Sequence, residues 1–138
     1  MKYIYIICPL VTLISSQLLK YVIELIKYKN FDITRLTNGD GGMPSSHTAF
    51  ISSVTMLTGF NLGFDSPIFA LAFVISCIIS YDSMGVRLES EKQGKLIKKL
   101  CNEKGIKVDL KDHLGHKMNE VIVGYIYGIV VAYLFSLI

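Results

Sequence analysis

The chain has 138 residues, of which 51% are hydrophobic, and its mean hydropathy of +0.48 excludes an ordinary soluble protein of this length. Its formal net charge of +3 arises from lysines interspersed with acidic residues and without an aromatic stacking pattern, which argues against nucleic-acid binding. These values predict one integral membrane domain covering residues 1–138 and placed in a bilayer.

Four apolar segments are long enough to be considered as membrane-spanning helices. Only the first and the last approach the roughly 20 residues that cross a bilayer unaided, so the middle two need tilt or polar ends. We therefore predict an all-α fold, an integral membrane bundle of about four transmembrane helices. Because four short helices enclose little volume, a homodimer is an open alternative. The segments are 3–26, 47–62, 67–81 and 120–138.

The first segment is predicted to be a retained helix, because no small-residue cleavage site follows its apolar core. Lys20 lies in its second half. An ionisable side chain within a span is costly and is a functional candidate by default, although a lysine near a helix end can extend to the interface. Pairing with Glu24, four residues later, is the structural alternative.

The stretch GGMPSSHTAF joins a polar loop to the second apolar segment. Ser45 and Ser46 are predicted to cap this helix, with Pro44 in its first turn and the helix N-terminus near His47. A helix N-terminus presents unpaired N–H groups and the positive end of its dipole, which favour a phosphate. Gly42 permits close backbone approach to an anion. A capped helix without a ligand is the alternative.

Asp82 and Arg87, in YDSMGVR, follow the third apolar segment. The donor fork of arginine suits phosphate, whereas interfacial anchoring and a surface ion pair form the alternative explanation. Beyond Arg87 the sequence becomes charged with helical spacing. We predict that this helix continues out of the membrane as an amphipathic segment, followed by a polar connection over 105–115.

His116 is predicted to open the last helix, with Glu120 four residues later on the same face. A carboxylate there can hold one ring nitrogen and leave the other free to attack. His47 can act as a general acid or base, and both histidines are predicted at the same membrane side. His113 is expected to be a surface residue.

The distribution of basic residues predicts the orientation of the protein. All of the 14 Lys and Arg residues except Lys2 and Lys20 fall in two loops on one side of the bundle. The positive-inside rule places both loops, and the two histidines with them, in the cytoplasm of the cell. A substrate made in the inner leaflet is therefore favoured over an outward-facing polyprenyl pyrophosphate.

Four stretches together resemble the small divergent membrane branch of the phosphatidic acid phosphatase type 2 and vanadium-dependent haloperoxidase superfamily. The stretches are GGMPSSHTAF, DSPIFALAF, YDSMGVRLESEKQ and LGHKMNEVIVG. The superfamily pattern is K-x6-R-P, then P-S-G-H, then S-R-x5-H-x3-D. The second element is matched over residues 44–47 with Ser46 in place of glycine, and the third by His116 and Glu120.

The sequence departs from this pattern where the superfamily has arginine. Lys20 retains the lysine of the first element, but the Arg-Pro pair is absent, and Lys27 and Arg35 are the candidates to replace its arginine. The Ser-Arg pair of the third element is also absent. Arg87 is the candidate to supply that charge.

The resemblance implies hydrolysis of a lipid phosphomonoester or pyrophosphate without metal or other cofactor. The predicted cytoplasmic orientation favours phosphatidylglycerol phosphate or phosphatidic acid as the substrate class. His116, oriented by Glu120, would form a phosphohistidine, and His47 would protonate the leaving oxygen. The alternative is a non-catalytic membrane protein that binds or translocates phospholipid headgroups, favoured by the missing arginines. The implied phosphate ligands are Lys20, Gly42, Ser45, Ser46 and Arg87, with Lys27, Arg35 and Asp82 as further candidates.

Overall fold

The computed structural model describes residues 3–28, 42–108, 110 and 115–138, except for the side chains of residues 24, 27 and 28. These residues form helices and no strand, so the predicted all-α membrane bundle is confirmed. The helices are α1 Ile4–Tyr28, α2 Ser46–Leu62, α3 Pro67–Met84, α4 Val86–Glu103 and α5 Met118–Ser136.

Helix α2 lies at the centre of the bundle. It packs against α1, α3 and most extensively α5, and a short turn over residues 63–66 connects it to α3. Among the described helices, three segments are long and apolar enough to cross a membrane, and α2, with 17 residues, is enclosed by them. These segments are Ile4–Ile23, part of Pro67–Glu103, and Met118–Ser136.

The distribution of apolar and polar side chains is that of a protein dissolved in lipid. Ile14, Ile78 and Ile126 are each more than half exposed on the outside of the bundle. Hydrocarbon solvates such side chains, whereas interior hydroxyls are tolerated when they are hydrogen-bonded to neighbouring backbone. The buried hydroxyl residues are Thr12, Ser16, Ser45, Ser46, Thr48, Ser52, Ser53, Thr55, Thr58, Ser76, Ser80 and Ser83.

Small residues permit the close contact between α2 and α5. Gly124, Gly128 and Ala132 recur every four residues and are buried on one side of α5. A β-carbon at Gly124 would lie 2.6 Å from the carbonyl oxygen of Ser45, and one at Gly128 would overlap Ser52 Oγ. Without a hydrophobic driving force in lipid, such close packing is a main source of helix association.

Helices α3 and α5 are joined by a hydroxyl cluster within the membrane region. The Tyr125 hydroxyl lies 2.6 Å from Ser76 Oγ and 2.9 Å from Ser80 Oγ. It also lies 3.2 Å from the carbonyl oxygen of Ser76. These bonds fix the register of α5 against α3.

We expect Tyr125→Phe to destabilise the bundle by about 0.6–2 kcal/mol, because it removes interhelical hydrogen bonds of a kind that contributes modestly in membranes. Reversible unfolding in mixed detergent micelles would measure the loss. Tyr133→Phe is the matched control, because Tyr133 is exposed on the same helix and contacts Phe60 through its ring. An equal loss in both variants would contradict a specific role for the Tyr125 hydroxyl.

The start of α2 confirms the predicted helix but corrects the position of the proline. Ser45 is the N-cap, with φ −67° and ψ 110°, so Pro44 precedes the cap and does not lie in the first turn. The Ser45 N–H donates to the carbonyl oxygen of Glu120 at 3.1 Å, which fixes this residue in an extended conformation. Its hydroxyl lies 2.9 Å from Thr48 Oγ1.

The start of α5 differs from the sequence prediction. The helix begins at Met118, with Lys117 as N-cap, so His116 does not open it and does not share a helical face with Glu120. The His116 N–H donates to the carbonyl oxygen of Ser83 at 3.1 Å, which holds this segment against the end of α3. The Glu120 carboxylate accepts the Lys117 N–H at 3.1 Å and thereby caps the helix.

The charged stretch after the third apolar segment is helical as predicted, but it forms a separate helix and does not continue the third one. Gly85, with φ −100° and ψ −90°, breaks the helical geometry between α3 and α4. Helix α4 is charged and amphipathic, as its sequence spacing predicts. The break places Arg87 in the first turn of a new helix, at the end of the bundle that contains His116.

Candidate functional site

Four parts of the chain meet at one end of the bundle. The N-terminus of α2 is joined to α5 by the Ser45–Glu120 backbone hydrogen bond, and the segment before α5 is joined to α3 by the His116–Ser83 bond. Lys20, in the C-terminal half of α1, lies close enough to both histidines to act on them electrostatically, so α1 reaches the same end. The two histidines lie at the same end of the bundle, and His47 acts electrostatically on His116.

His116 is buried at this end of the bundle. Its side chain is 5% exposed, and its Nδ1 atom is buried without a hydrogen-bond partner among the described residues. A buried polar atom without a partner is costly and uncommon in native proteins. Nδ1 of His116 is therefore available to a side chain that rotates towards it or to a ligand that binds beside it.

The charge state of His116 is set by burial and by its neighbours. Burial lowers the pKa of His116 below the ordinary histidine value, because desolvation disfavours the charged imidazolium. The Glu120 carboxylate acts in the opposite direction and raises this pKa, whereas Lys20, His47 and Arg87 lower it further. At neutral pH the ring is therefore neutral and keeps a lone pair, as a nucleophile requires.

The elbow before α2 presents groups suited to an oxyanion. Ser46 is the first helical residue, and its Oγ atom is buried without a hydrogen-bond partner in the described part of the chain. Gly42 has φ +130°, a conformation that side chains rarely adopt. His47 follows Ser46 and is exposed at the surface of this end. The free N–H groups of the first turn and the helix dipole favour negative charge here.

Two cations lie near the histidines. Lys20 is 8% exposed, and its electrostatic effect extends to both His47 and His116. Arg87 acts on the same two rings, and its Nε atom donates to Asp82 Oδ2 at 2.6 Å. This ion pair is partly exposed, so its contribution to stability is small. The ion pair holds the Arg87 guanidinium in place through its Nε atom.

Glu120 is close to His116 but is bonded elsewhere. Its carboxylate accepts the Lys117 N–H and raises the pKa of His116 through space, while His116 Nδ1 has no partner among the described residues. Contact between this carboxylate and the imidazole thus requires a side-chain rotation. The orienting role predicted for Glu120 is not formed in this conformation.

Some predicted residues lie outside the described part of the chain. These are Arg35, His113 and the side chain of Lys27, together with the Glu24 side chain as partner for Lys20. Within the described residues, no group of three His, Cys, Asp or Glu side chains is arranged to hold a metal ion. The site brought together by the described residues consists of the two histidines, two cations and the α2 N-terminus.

Sequence reasoning missed two residues that shape this site. Ser83 accepts the backbone N–H of His116, and a carbonyl in this role leaves no signal in the sequence. Thr48 lies within hydrogen-bond distance of the Ser45 hydroxyl. Its position three residues after the N-cap is a spacing that could have indicated this contact.

Two comparisons with known proteins each match nearly the whole length of this chain. A family model described as "Divergent PAP2 family" matches residues 1–131. The protein described as "Uncharacterized membrane protein YuiD" from Bacillus subtilis (strain 168) is 32% identical over 146 residues, an alignment that covers 91% of this chain and 92% of the relative. No solved structure gives a significant match.

Proposed function

Since the chain belongs to the Divergent PAP2 family, we propose that it is a membrane phosphatase acting on a lipid phosphomonoester of the phosphatidylglycerol phosphate or phosphatidic acid class. The observation that carries this proposal is the buried, neutral His116 beside a second histidine and two cations. Such a set combines a nucleophile, a proton donor and electrostatic stabilisation of phosphate, which together suffice for phosphoryl transfer.

In the first step, a ring nitrogen of His116 attacks phosphorus while the bond to the lipid oxygen breaks. Because Nδ1 is enclosed by protein, we assign Nε2 as the attacking atom. His47 in its protonated form donates a proton to the leaving lipid oxygen. The lipid alcohol departs, and the phosphoryl group remains on His116.

In the second step, water attacks the phosphohistidine. Neutral His47 accepts a proton from this water, the P–N bond breaks, and inorganic phosphate leaves with both histidines restored. Rotation of the Glu120 carboxylate to Nδ1 would fix the tautomer that leaves Nε2 free. Its present bond to the Lys117 N–H is a single exposed hydrogen bond, so such a rotation has a low energetic cost.

The phosphate oxygens would be held by Lys20, Arg87 and the N-terminus of α2. Ser46 Oγ is a buried donor that lacks a partner among the described residues and is available for such an oxygen. Ser45 and Gly42 shape the backbone that approaches the anion. These groups are fixed before substrate binds, and preorganised charge is the main source of stabilisation in phosphoryl transfer.

Phosphate release by purified protein in detergent tests this function. The substrates would be phosphatidylglycerol phosphate, phosphatidic acid and a polyprenyl pyrophosphate, each measured with EDTA present. We expect turnover on a phosphomonoester that survives EDTA and is lost in both His116→Ala and His47→Ala. Turnover that persists in both variants would contradict the histidine mechanism.

The pH profile is expected to reflect the lowered pKa of His116. The nucleophile is active when neutral, so the acid limb of kcat/KM should lie below the range of an ordinary histidine. Glu120→Gln removes a carboxylate that raises this pKa and should move the limb to lower pH. Arg87→Gln removes a cation that lowers it and should move the limb to higher pH. A limb that stays fixed in both variants would exclude His116 as the titrating group.

The charge distribution supports a cytoplasmic orientation of the site. The basic residues of α4 lie at the same end of the bundle as His116, and positive residues are retained on the cytoplasmic side. A reporter fused after Ile138 should therefore be found outside the cytoplasm. A cytoplasmic reporter would reverse the orientation.

Binding or translocation of phospholipid headgroups without turnover is the second candidate. It is favoured by the bond of Glu120 to Lys117 instead of His116, which leaves the predicted nucleophile unoriented. The phosphatase assay separates the candidates. Headgroup binding that depends on Lys20, with no phosphate released from any lipid, would support the second one.

A further inference from the structure

Helix α4 contacts the rest of the described bundle near its N-terminus. A β-carbon at Gly115 would lie 2.6 Å from Leu88 Cα, and the Gly115 N–H donates to Glu91 Oε2 at 2.9 Å. No residue within α4 is buried. The remainder of the helix therefore presents both its polar and its apolar sides to the surroundings.

The apolar side of α4 is uncovered. Leu96 is 59% exposed and Leu100 is 50% exposed, and they lie one turn apart on the same face. Ile97 and Val86 flank this face and are also exposed. Beyond the end of α3 such a contiguous apolar surface would be unfavourable in water.

Lysines occupy the other side of the same helix. Lys92 forms an exposed pair with Glu89, and Lys95 pairs with Glu91, whose side chain is only 12% exposed. Towards the C-terminus follow Lys98 and Lys99, and Glu103 is the last residue of the helix. The positive charge continues past the helix, at Lys104 and Lys107.

We propose that α4 is an interfacial helix that binds an anionic lipid surface, with Leu96, Ile97 and Leu100 at the acyl boundary and its lysines on lipid phosphates. Amphipathic helices with lysines on the polar face bind anionic bilayers in this way. Only Gly85 separates α4 from α3, so α4 begins where α3 leaves the membrane. This inference does not depend on phosphatase activity.

Charge favours a bilayer over a second copy of the chain as the occupant of this face. Two copies packed through Leu96 and Leu100 would bring the lysines of both helices close together, and like charges across an interface are unfavourable. Anionic headgroups instead complement the lysines while the acyl region takes up the leucines. A single anionic bilayer surface thus accommodates both the lysine side and the leucine side of α4.

The chain contains no tryptophan, so a single introduced indole reports the position of α4 without background. The variants are Leu96→Trp and Leu100→Trp on the apolar face, with Asn102→Trp as the matched control on the opposite, exposed side. Each full-length protein would be reconstituted in bilayers with bromine-labelled acyl chains. The bilayers would contain either phosphatidylcholine alone or phosphatidylcholine with phosphatidylglycerol.

We expect blue-shifted emission and bromine quenching for Leu96→Trp and Leu100→Trp, stronger in the anionic bilayer, and neither effect for Asn102→Trp. In the Leu96→Trp background, Lys98→Gln and Lys99→Gln should each weaken binding to the anionic bilayer roughly fivefold. This is the change in affinity expected from the loss of one lysine near an anionic surface. Absence of quenching in both bilayers would overturn the proposal. Blue-shifted emission without quenching would also overturn it, because a protein contact would then cover the face.

Discussion

Replacing His116 by asparagine is expected to reduce phosphate release from the preferred lipid by about 10⁴-fold or more, the scale on which removal of a nucleophile acts. The asparagine amide keeps a polar group in the buried position, so the fold should survive. The variant should also fail to form a phosphoenzyme. Acid-labile, alkali-stable radiolabel trapped on the protein during turnover measures this directly.

His47 should behave differently, because its proposed role is proton transfer to the leaving oxygen. With a lipid substrate, His47→Asn should lose turnover, whereas with an aryl phosphate, whose leaving group needs no proton, it should still form the phosphoenzyme. Lys117→Gln is the control for both variants, since Lys117 is exposed beside His116. A phosphoenzyme that forms normally in His116→Asn would eliminate this residue as the nucleophile.

Replacing Gly128 by leucine is expected to cause the largest loss of stability. A β-carbon at this position would overlap Ser52 Oγ and the carbonyl oxygen of Ala49, so α5 must separate from α2. Overpacking of this kind costs about 1–3 kcal/mol or more. The loss would be measured by unfolding in mixed micelles and by the yield of monodisperse protein.

The matched control is Ile126→Leu, which changes side-chain shape on the lipid-facing side of the same helix. It should leave the unfolding midpoint nearly unchanged, because lipid adapts to either side chain. Gly124→Leu should resemble Gly128→Leu and also displace Ser45, whose carbonyl oxygen lies 2.6 Å from the hypothetical β-carbon. Equal stability of Gly128→Leu and Ile126→Leu would contradict close packing of α5 against α2 at Gly128.

The helices of the bundle could be predicted because helices that face lipid must consist largely of apolar residues. Runs of apolar residues, interrupted at Gly63 and Ser66, indicated the helices that became α2 and α3. The start of α2 at the Ser45–Ser46 pair could also be predicted, because serine is common at the N-cap position, although the Ser45 side chain makes no capping hydrogen bond to the helix backbone. Local preferences and hydropathy decide these features, so they appear in the sequence itself.

The start of α5 was not readable in the same way. The spacing of His116 and Glu120 suggested that they share one helical face. The backbone N–H of His116 instead bonds to the carbonyl oxygen of Ser83, and His116 lies before the helix. Glu120 then caps the helix through Lys117. A bond between residues so far apart in the chain follows from packing, and helical periodicity carries no information about it.

The sequence by itself determined the all-helical membrane fold, the family resemblance and the candidate residues, because hydropathy and short motifs depend on residues near one another in the chain. Only the tertiary structure decided which of these candidates meet and in what state. His116 lies in a segment that is held against the end of α3 by its bond to Ser83 and that packs at Gly115 against Leu88 of α4. Desolvation is a property of the packed site, so the neutral imidazole could be recognised only after the helices were assembled.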